Sequence, residues 1–255
     1  MKTTGQKVAV FNNALVSMEE HFDPDIILIA CNTLSVLYDY TEFSRHTSIP
    51  VIGIVGTGVD LIKSKMDKHE QADVIIFATK TTVGQGKHKS QLIEMGIPEQ
   101  KIFTQACPRL AGRIEADSRS DTTKSLVEQY VNDAVQKLPG RDKPYYVSYN
   151  CTHYGYVDEL FKQSFKSAGI NVVEFLDPNP LMADFIFAQE FLNRYPQSDV
   201  SIRVVSQPEL PPGKLASIYS LIESQSSGTA EALLSYTFKP DYFEWRSIAG
   251  KNNND

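Results

Sequence analysis

DIILIACNT (residues 25–33) is the stretch that decides how the rest of the chain is read. Ile26 to Ile29 form a short apolar run rich in β-branched residues, without the alternation of a half-exposed strand, which is the pattern of a strand covered on both faces. Cys31 ends the run, and polar Asn32 and Thr33 lead into residues 33–46, which are patterned as a helix. KPYYVSYNCTH (143–153) repeats the arrangement: a strand candidate, then Cys151, Thr152 and His153, then Val157, Leu160, Phe161 and Phe165 on one helical face.

Working outward, PVIGIV (50–55), ADVIIFAT (72–79), KIFTQA (101–106), NVVEFLD (171–177) and VSIRVVS (200–206) are further strand candidates with helical patterns between them. Val8, Phe11, Leu15, Met18 and Phe22 predict an opening helix closed by Asp23-Pro24. Strand and helix in alternation imply parallel sheets covered by helices, an α/β architecture. After Pro211-Pro212 one helix is expected, followed by the Ser-rich ESQSSG stretch, a weakly patterned tail and a frayed GKNNND end.

The two strand-Cys-turn-helix units lie about one small α/β domain apart in sequence. We therefore expect two pseudo-symmetric parallel-sheet α/β domains with the active site in the cleft between them. Residues 1–56 plus 172–224 form the first domain, 57–171 the second, and 225–255 a carboxy-terminal tail.

Composition restricts the function. The 255 residues carry a formal net charge of -6 with 42% hydrophobic and 22% charged residues, which suits a globular protein able to bury its own core. No basic excess argues for nucleic acid or an anionic membrane. MKTTGQKVAVFNN lacks the apolar core of a secretory signal, and no apolar run approaches the ~18 residues of a membrane span. Three cysteines without close spacing suit a reducing compartment, so a cytoplasmic location is expected.

Cys31 and Cys151 are each placed at the carboxyl end of a strand, where parallel α/β sheets bind ligands. Exposed N–H groups of the following helix are expected to lower each thiol's pKa. A single free cysteine is more often inert packing, which is the reading for Cys107 in QACPRL; two with matching polar sequels favour chemistry. Gly56-Thr57-Gly58 and Gly84-Gln85-Gly86 complete no phosphate-binding motif and are read as turns. EADSRSD reads as a solvated helix boundary. No C-x-x-C or H-E-x-x-H spacing supports a metal, and none is expected.

IACNT (29–33) and NCTHYG (150–155) resemble the two signature segments of the aspartate/glutamate racemase superfamily, and of glutamate racemases in particular. IPVIGIV, ATKTTVGQG and QACPRLAGRIEAD fall between them in the order and at about the spacing those enzymes show, and the resemblance covers about residues 5 to 190. It implies a cofactor-independent racemase of two α/β domains, in which one cysteine thiolate removes the Cα proton and the opposite thiol returns one to the other face. Cys31, Cys151 and His153 would be catalytic. Asn32, Thr33 and Thr152 would bind the substrate's carboxylate and ammonium groups, with Thr79 and Thr82 beside them. Glu115, grouped with these binding positions, would assist the acid/base pair together with His153.

The expected ligand is a small amino acid, glutamate first and aspartate second, with D-glutamate for peptidoglycan as the product. The assembly considered is a homodimer; neither nucleic acid nor membrane is an expected partner. The sequence departs from the glutamate racemase pattern in lacking its amino-terminal Asp-Ser-Gly and Pro-Tyr-Gly segments, and in having Asn150 and Gly155 where Gly and Pro are common. The alternatives are a non-catalytic truncated homologue or binding protein, or a racemase of aspartate or a related acid.

Overall fold

The computed structural model describes residues 2–185 and 194–250. The chain divides into two compact units, one from the described residues of Met1–Ile27, Leu37–Ile52 and Asn193–Asp255, the other from those of Leu28–Val36 and Gly53–Leu192. Helices and strands are numbered in chain order. β1 (Ile27–Ile29) and β2 (Val51–Gly53) pair with each other.

In the first unit, α1 (Thr4–Phe22) begins with a capping box: Thr3 Oγ1 accepts from the Gln6 amide at 3.2 Å and Gln6 Oε1 accepts from the Thr3 amide at 2.8 Å. It ends at Asp23, whose φ of 42° breaks the helix before Pro24. The helix predicted from its apolar spacing is present, with Phe11 and Leu15 buried and Phe22 exposed. The tail is not loose: Asn13 Nδ2 donates to the Glu244 carbonyl at 3.0 Å, Gln6 Nε2 to that of Ile248 at 3.1 Å, and Ser17 Oγ to that of Tyr242. Residues 251–255, most of the segment expected to fray, lie outside the described residues.

The second unit is built on a parallel sheet of order β4-β3-β5-β6. Its strands are β3 (Asp73–Ala78), β4 (Ile102–Ala106), β5 (Tyr145–Asn150) and β6 (Val172–Leu176). Every residue of β3 and β5 is buried, as an apolar parallel strand requires. The helices of this unit are α2 (Asn32–Ser35), α4 (Ile54–Met66), α5 (Lys80–Gln85), α6 (Lys87–Glu94), α7 (Leu110–Asp117), α8 (Asp121–Val135), α9 (Asp158–Ser167) and α10 (Asn179–Met182). The apolar face of α9 closes the core, Phe161 lying 5.1 Å from Phe77 and 5.0 Å from Tyr149 between ring centres.

Several expectations change. Residues 33–46 are not one helix but α2, a 3₁₀ turn at Tyr38–Tyr40 and α3 (Phe43–His46). Thr41 separates the 3₁₀ turn from α3: its hydroxyl donates to the Tyr38 carbonyl at 2.7 Å and accepts from the Ser44 amide at 3.2 Å, competing with the helical ladder. Gly56-Thr57-Gly58 is not a turn. It lies inside α4, where Ile54, Val55, Val59 and Ile62 supply a buried helical face that overrides two glycines.

Gly84 and Gln85 finish α5, and only Gly86, at φ 66°, makes the expected bend. β6 pairs with β5, so it belongs to the larger sheet and not with residues 1–56, with which the sequence grouped it. Of VSIRVVS only β7 (Val205–Ser206) is a strand, paired with β8 (Thr237–Phe238). Beyond α11 (Pro212–Ile222) there is a second helix, α12 (Ser227–Leu234), capped by Ser226 from the Ser-rich stretch expected to lead into a weakly patterned tail, and a short α13 (Arg246–Gly250). EADSRSD is the expected boundary: α7 ends at Asp117 and Ser120 caps α8.

Candidate active site

The site is assembled at the carboxyl edge of the larger sheet. Ala78 of β3 is in register with Ala106 of β4 and with Asn150 of β5, so Thr79, Cys107 and Cys151 leave the sheet at one level. Cys31 enters the same unit on the segment Leu28–Val36, as the residue capping the amino terminus of α2.

The two thiols differ. Cys31 is accessible to solvent, whereas Cys151 is buried. Dense protein surroundings push the Cys31 thiol above its ordinary pKa and a charge on Cys151 raises it further, outweighing the Leu34 and Thr33 amides that pull it down. The lowering expected from a helix terminus is thus overturned at Cys31: α2 is only four residues long, and desolvation disfavours the thiolate more than two amides favour it. The Thr33 hydroxyl, two residues from Cys31, meets that of Thr79, which leaves the sheet level with Cys151.

Behind Cys151 runs a relay. Its Sγ lies 3.7 Å from His153 Nδ1, and His153 Nε2 lies 2.8 Å from Glu115 Oε1 on α7. Hydrogen bonds to the Cys151 sulfur and the Glu115 carboxylate push the imidazole up to about 9 despite its partial burial. At neutral pH His153 is therefore an imidazolium, donating to both neighbours.

Thr33, Thr79 and Thr82 form a closed triangle of hydroxyls, with Thr33 Oγ1 2.7 Å from Thr79 Oγ1 and 3.2 Å from Thr82 Oγ1, and the last two 3.0 Å apart. Thr79 also caps α5, accepting from the Thr82 amide at 3.2 Å. Asn32 is almost wholly buried, its Oδ1 3.1 Å from His88 Nε2 and its Nδ2 without a partner. Thr152 follows Cys151, and its carbonyl accepts from Asn179 Nδ2 at 3.3 Å.

The structure thus brings the three threonines together, sets Cys31 and Cys151 in one unit, and joins Cys151, His153 and Glu115 in a chain. Of three further neighbours, His88 and Tyr154 were not singled out from the sequence, and Asn150 was noted only as a departure from the family pattern. His88 lies in the polar run GKHKS, which reads as surface, yet it is buried and held neutral at about 4 by desolvation and by Lys87. Asn150 has a buried amide with neither atom partnered, fitted against Gly58, where an added Cβ would come within 2.9 Å of its Nδ2. Tyr154 is fully buried with its hydroxyl unpartnered, and burial first, then the neighbouring Cys107 and Cys151, push the phenol far up. Cys107 is buried and its thiol pushed far up, in keeping with a packing role. Among the described residues, no group of three His, Cys, Asp or Glu side chains could hold a metal ion, and no helix is long and apolar enough to cross a membrane.

The chain matches the Asp/Glu/Hydantoin racemase family over residues 3–181. It belongs to that family. Among its relatives, glutamate racemase from Nitratiruptor is 24% identical over 152 residues, which are 59% of this chain and 55% of that protein. Glutamate racemase from Clostridium perfringens is 30% identical over 139 residues, 53% of this chain and 49% of that one. The chain spans about half the length of the curated relatives it matches.

Among solved structures, glutamate racemase from Bacillus anthracis shares the fold with a TM-score of 0.66 at 16% identity, over 93% of this chain and 80% of that one. The Francisella tularensis enzyme, solved in complex with D-glutamate, gives 0.63 at 18% identity, over 94% and 80%. Membership of the racemase family agrees with the resemblance carried by IACNT and NCTHYG.

Proposed function

We propose that the chain is a cofactor-independent racemase of a free amino acid, with glutamate as substrate, and that Cys31 and Cys151 are its two acid/base groups. One sulfur, as thiolate, takes the Cα proton; the other, as thiol, gives its proton to the opposite face. The product leaves with the two sulfurs' protonation states exchanged.

The placement of both cysteines in one unit carries this reading: Cys151 leaves the sheet level with Thr79, whose hydroxyl meets that of Thr33, two residues from Cys31, at 2.7 Å. A Cα–H is a very weak acid, so the carbanion-like species needs fixed donors in a site shielded from water. The Thr33–Thr79–Thr82 hydroxyls and the unpartnered Asn32 amide supply such donors. His153, protonated and backed by Glu115, holds a proton against Cys151 and steadies the charge left there when that thiol has delivered its own. The relatives named above are glutamate racemases, which supports the substrate. By the same resemblance D-glutamate would serve bacterial peptidoglycan.

The test is deuterium incorporation at Cα in D2O, followed by NMR, for both enantiomers of glutamate and of aspartate. Exchange with inversion of glutamate that is lost in both Cys31→Ala and Cys151→Ala is the expected result. Inversion of aspartate alone reassigns the substrate, and absence of exchange from a folded protein overturns catalysis in favour of a binding role.

A further inference from the structure

We propose that His88 is a positioning residue, whose imidazole donates its Nε2–H to Asn32 Oδ1 and so presents the Asn32 Nδ2 amide as a donor to a carboxylate oxygen of the bound amino acid. The inference rests on the racemase reading for the ligand, but its central geometry belongs to the protein alone.

A carboxamide has two nearly isosteric orientations, one offering N–H groups and the other a carbonyl oxygen. What Asn32 offers its ligand therefore depends on what holds its far side. That side is held by His88, 3.1 Å away, with both residues buried to within a few per cent. The imidazole is neutral at physiological pH, since burial and the neighbouring Lys87 push it down to about 4. A neutral imidazole carries one ring N–H; on Nε2 it selects Oδ1 as its acceptor and turns Nδ2 away.

Nδ2 is then a buried donor without a partner, a state that costs about 1–3 kcal/mol when nothing fills it. A carboxylate oxygen is the acceptor that answers such a donor best, because the hydrogen bond becomes charge-assisted. Asn32 also stands between Cys31 and Thr33, so the amide is offered from within the segment that carries one thiol and one corner of the threonine triangle. His88 also borders a small cavity of about 50 Å³, shared with Thr82, Val83 and Gly86.

The first readout is the tautomer, from ¹⁵N NMR of the full chain labelled at histidine, the His88 signals being identified by their loss in His88→Gln. The expected pattern is a protonated Nε2 and an unprotonated Nδ1; the reverse pattern overturns the proposal whether or not the protein is a racemase.

The second readout compares His88→Gln, which keeps an N–H donor, with His88→Phe, which keeps the bulk and loses it, both checked for folding by near-UV circular dichroism. His88→Phe is expected to weaken D-glutamate binding, measured by calorimetry, about tenfold or more and to raise KM more than it lowers kcat, while His88→Gln restores most of the binding. Equal effects of the two variants overturn the role. If the wild type neither binds glutamate nor exchanges its Cα proton, the racemase reading fails and the tautomer alone decides how Asn32 is held.

Discussion

Glu115 and His153 meet at 2.8 Å, the carboxylate accepting from Nε2 of a ring whose other nitrogen faces the Cys151 sulfur. The pair has a pH signature. The imidazole is raised from an ordinary 6.5 to about 9, so its contribution to stability is fully present below pH 6.5 and is lost as pH rises through about 9. Glu115→Gln should lower the stability at pH 6 by about 1–2 kcal/mol and flatten the decline between pH 6.5 and 9. Urea unfolding at four pH values checks this; an unchanged slope would show that Glu115 does not hold the proton. Turnover of the same variant should fall about a hundredfold.

Alkylation should rank the cysteines by access and by thiolate content. Cys31 is exposed but raised in pKa, and Cys107 is both buried and raised, so iodoacetamide should label Cys31 ahead of Cys107. Labelling of Cys31 should be slow at pH 7 and quicken only above the ordinary thiol range. Peptide mass spectrometry reads the order, and early labelling of Cys107 in folded protein would contradict its burial. Cys107→Ala should retain turnover.

Thr79 serves the helix and the hydroxyl triangle at once. Thr79→Ala should cost about 1 kcal/mol from the lost α5 cap, and should weaken glutamate binding besides, because Thr33 and Thr82 lose their shared partner. Thr79→Ser should keep both functions. Comparing denaturation midpoints with binding constants separates the two effects.

Gly58 leaves room for Asn150. Alanine in a helix interior is favoured over glycine by about 1 kcal/mol, but at position 58 its Cβ would come within 2.9 Å of Asn150 Nδ2 and 3.7 Å of Pro178. Gly58→Ala should therefore destabilise the protein by about 1–2 kcal/mol, and less so when Asn150→Ala has cleared the contact. A double-mutant cycle measures this; a coupling energy near zero would mean the two positions do not meet.

The two central strands of the larger sheet were legible because VIIFA is apolar on both faces and YYVSY is interrupted only by Ser148, a pattern that few other environments require. The cysteines were legible through repetition: one polar sequel behind a thiol is noise, and two at strand ends are a signal. His88 was invisible because its burial is a tertiary fact, created when α6 folds back and lets a histidine from a basic run reach Asn32. Helix α12 was missed for a related reason. Its cap, Ser226, sits in a serine cluster with the composition of a linker. The raised Cys31 thiol could not be read from sequence either, because helix-end amides are local whereas desolvation is imposed by distant segments.

The unit that holds both thiols is discontinuous, taking in Leu28–Val36 and resuming only at Gly53. Cys31 therefore leaves the ribosome long before the strand that carries Cys151, and waits without its partner while β3, β4 and their helices are made. Contacts so far apart in sequence form slowly, even though the entropic cost of closing the loop grows only weakly with its length. On the proposed two-thiol reading, a nascent chain that stops short of β5 holds Cys31 without its acid/base partner, so activity would wait for the synthesis of that strand.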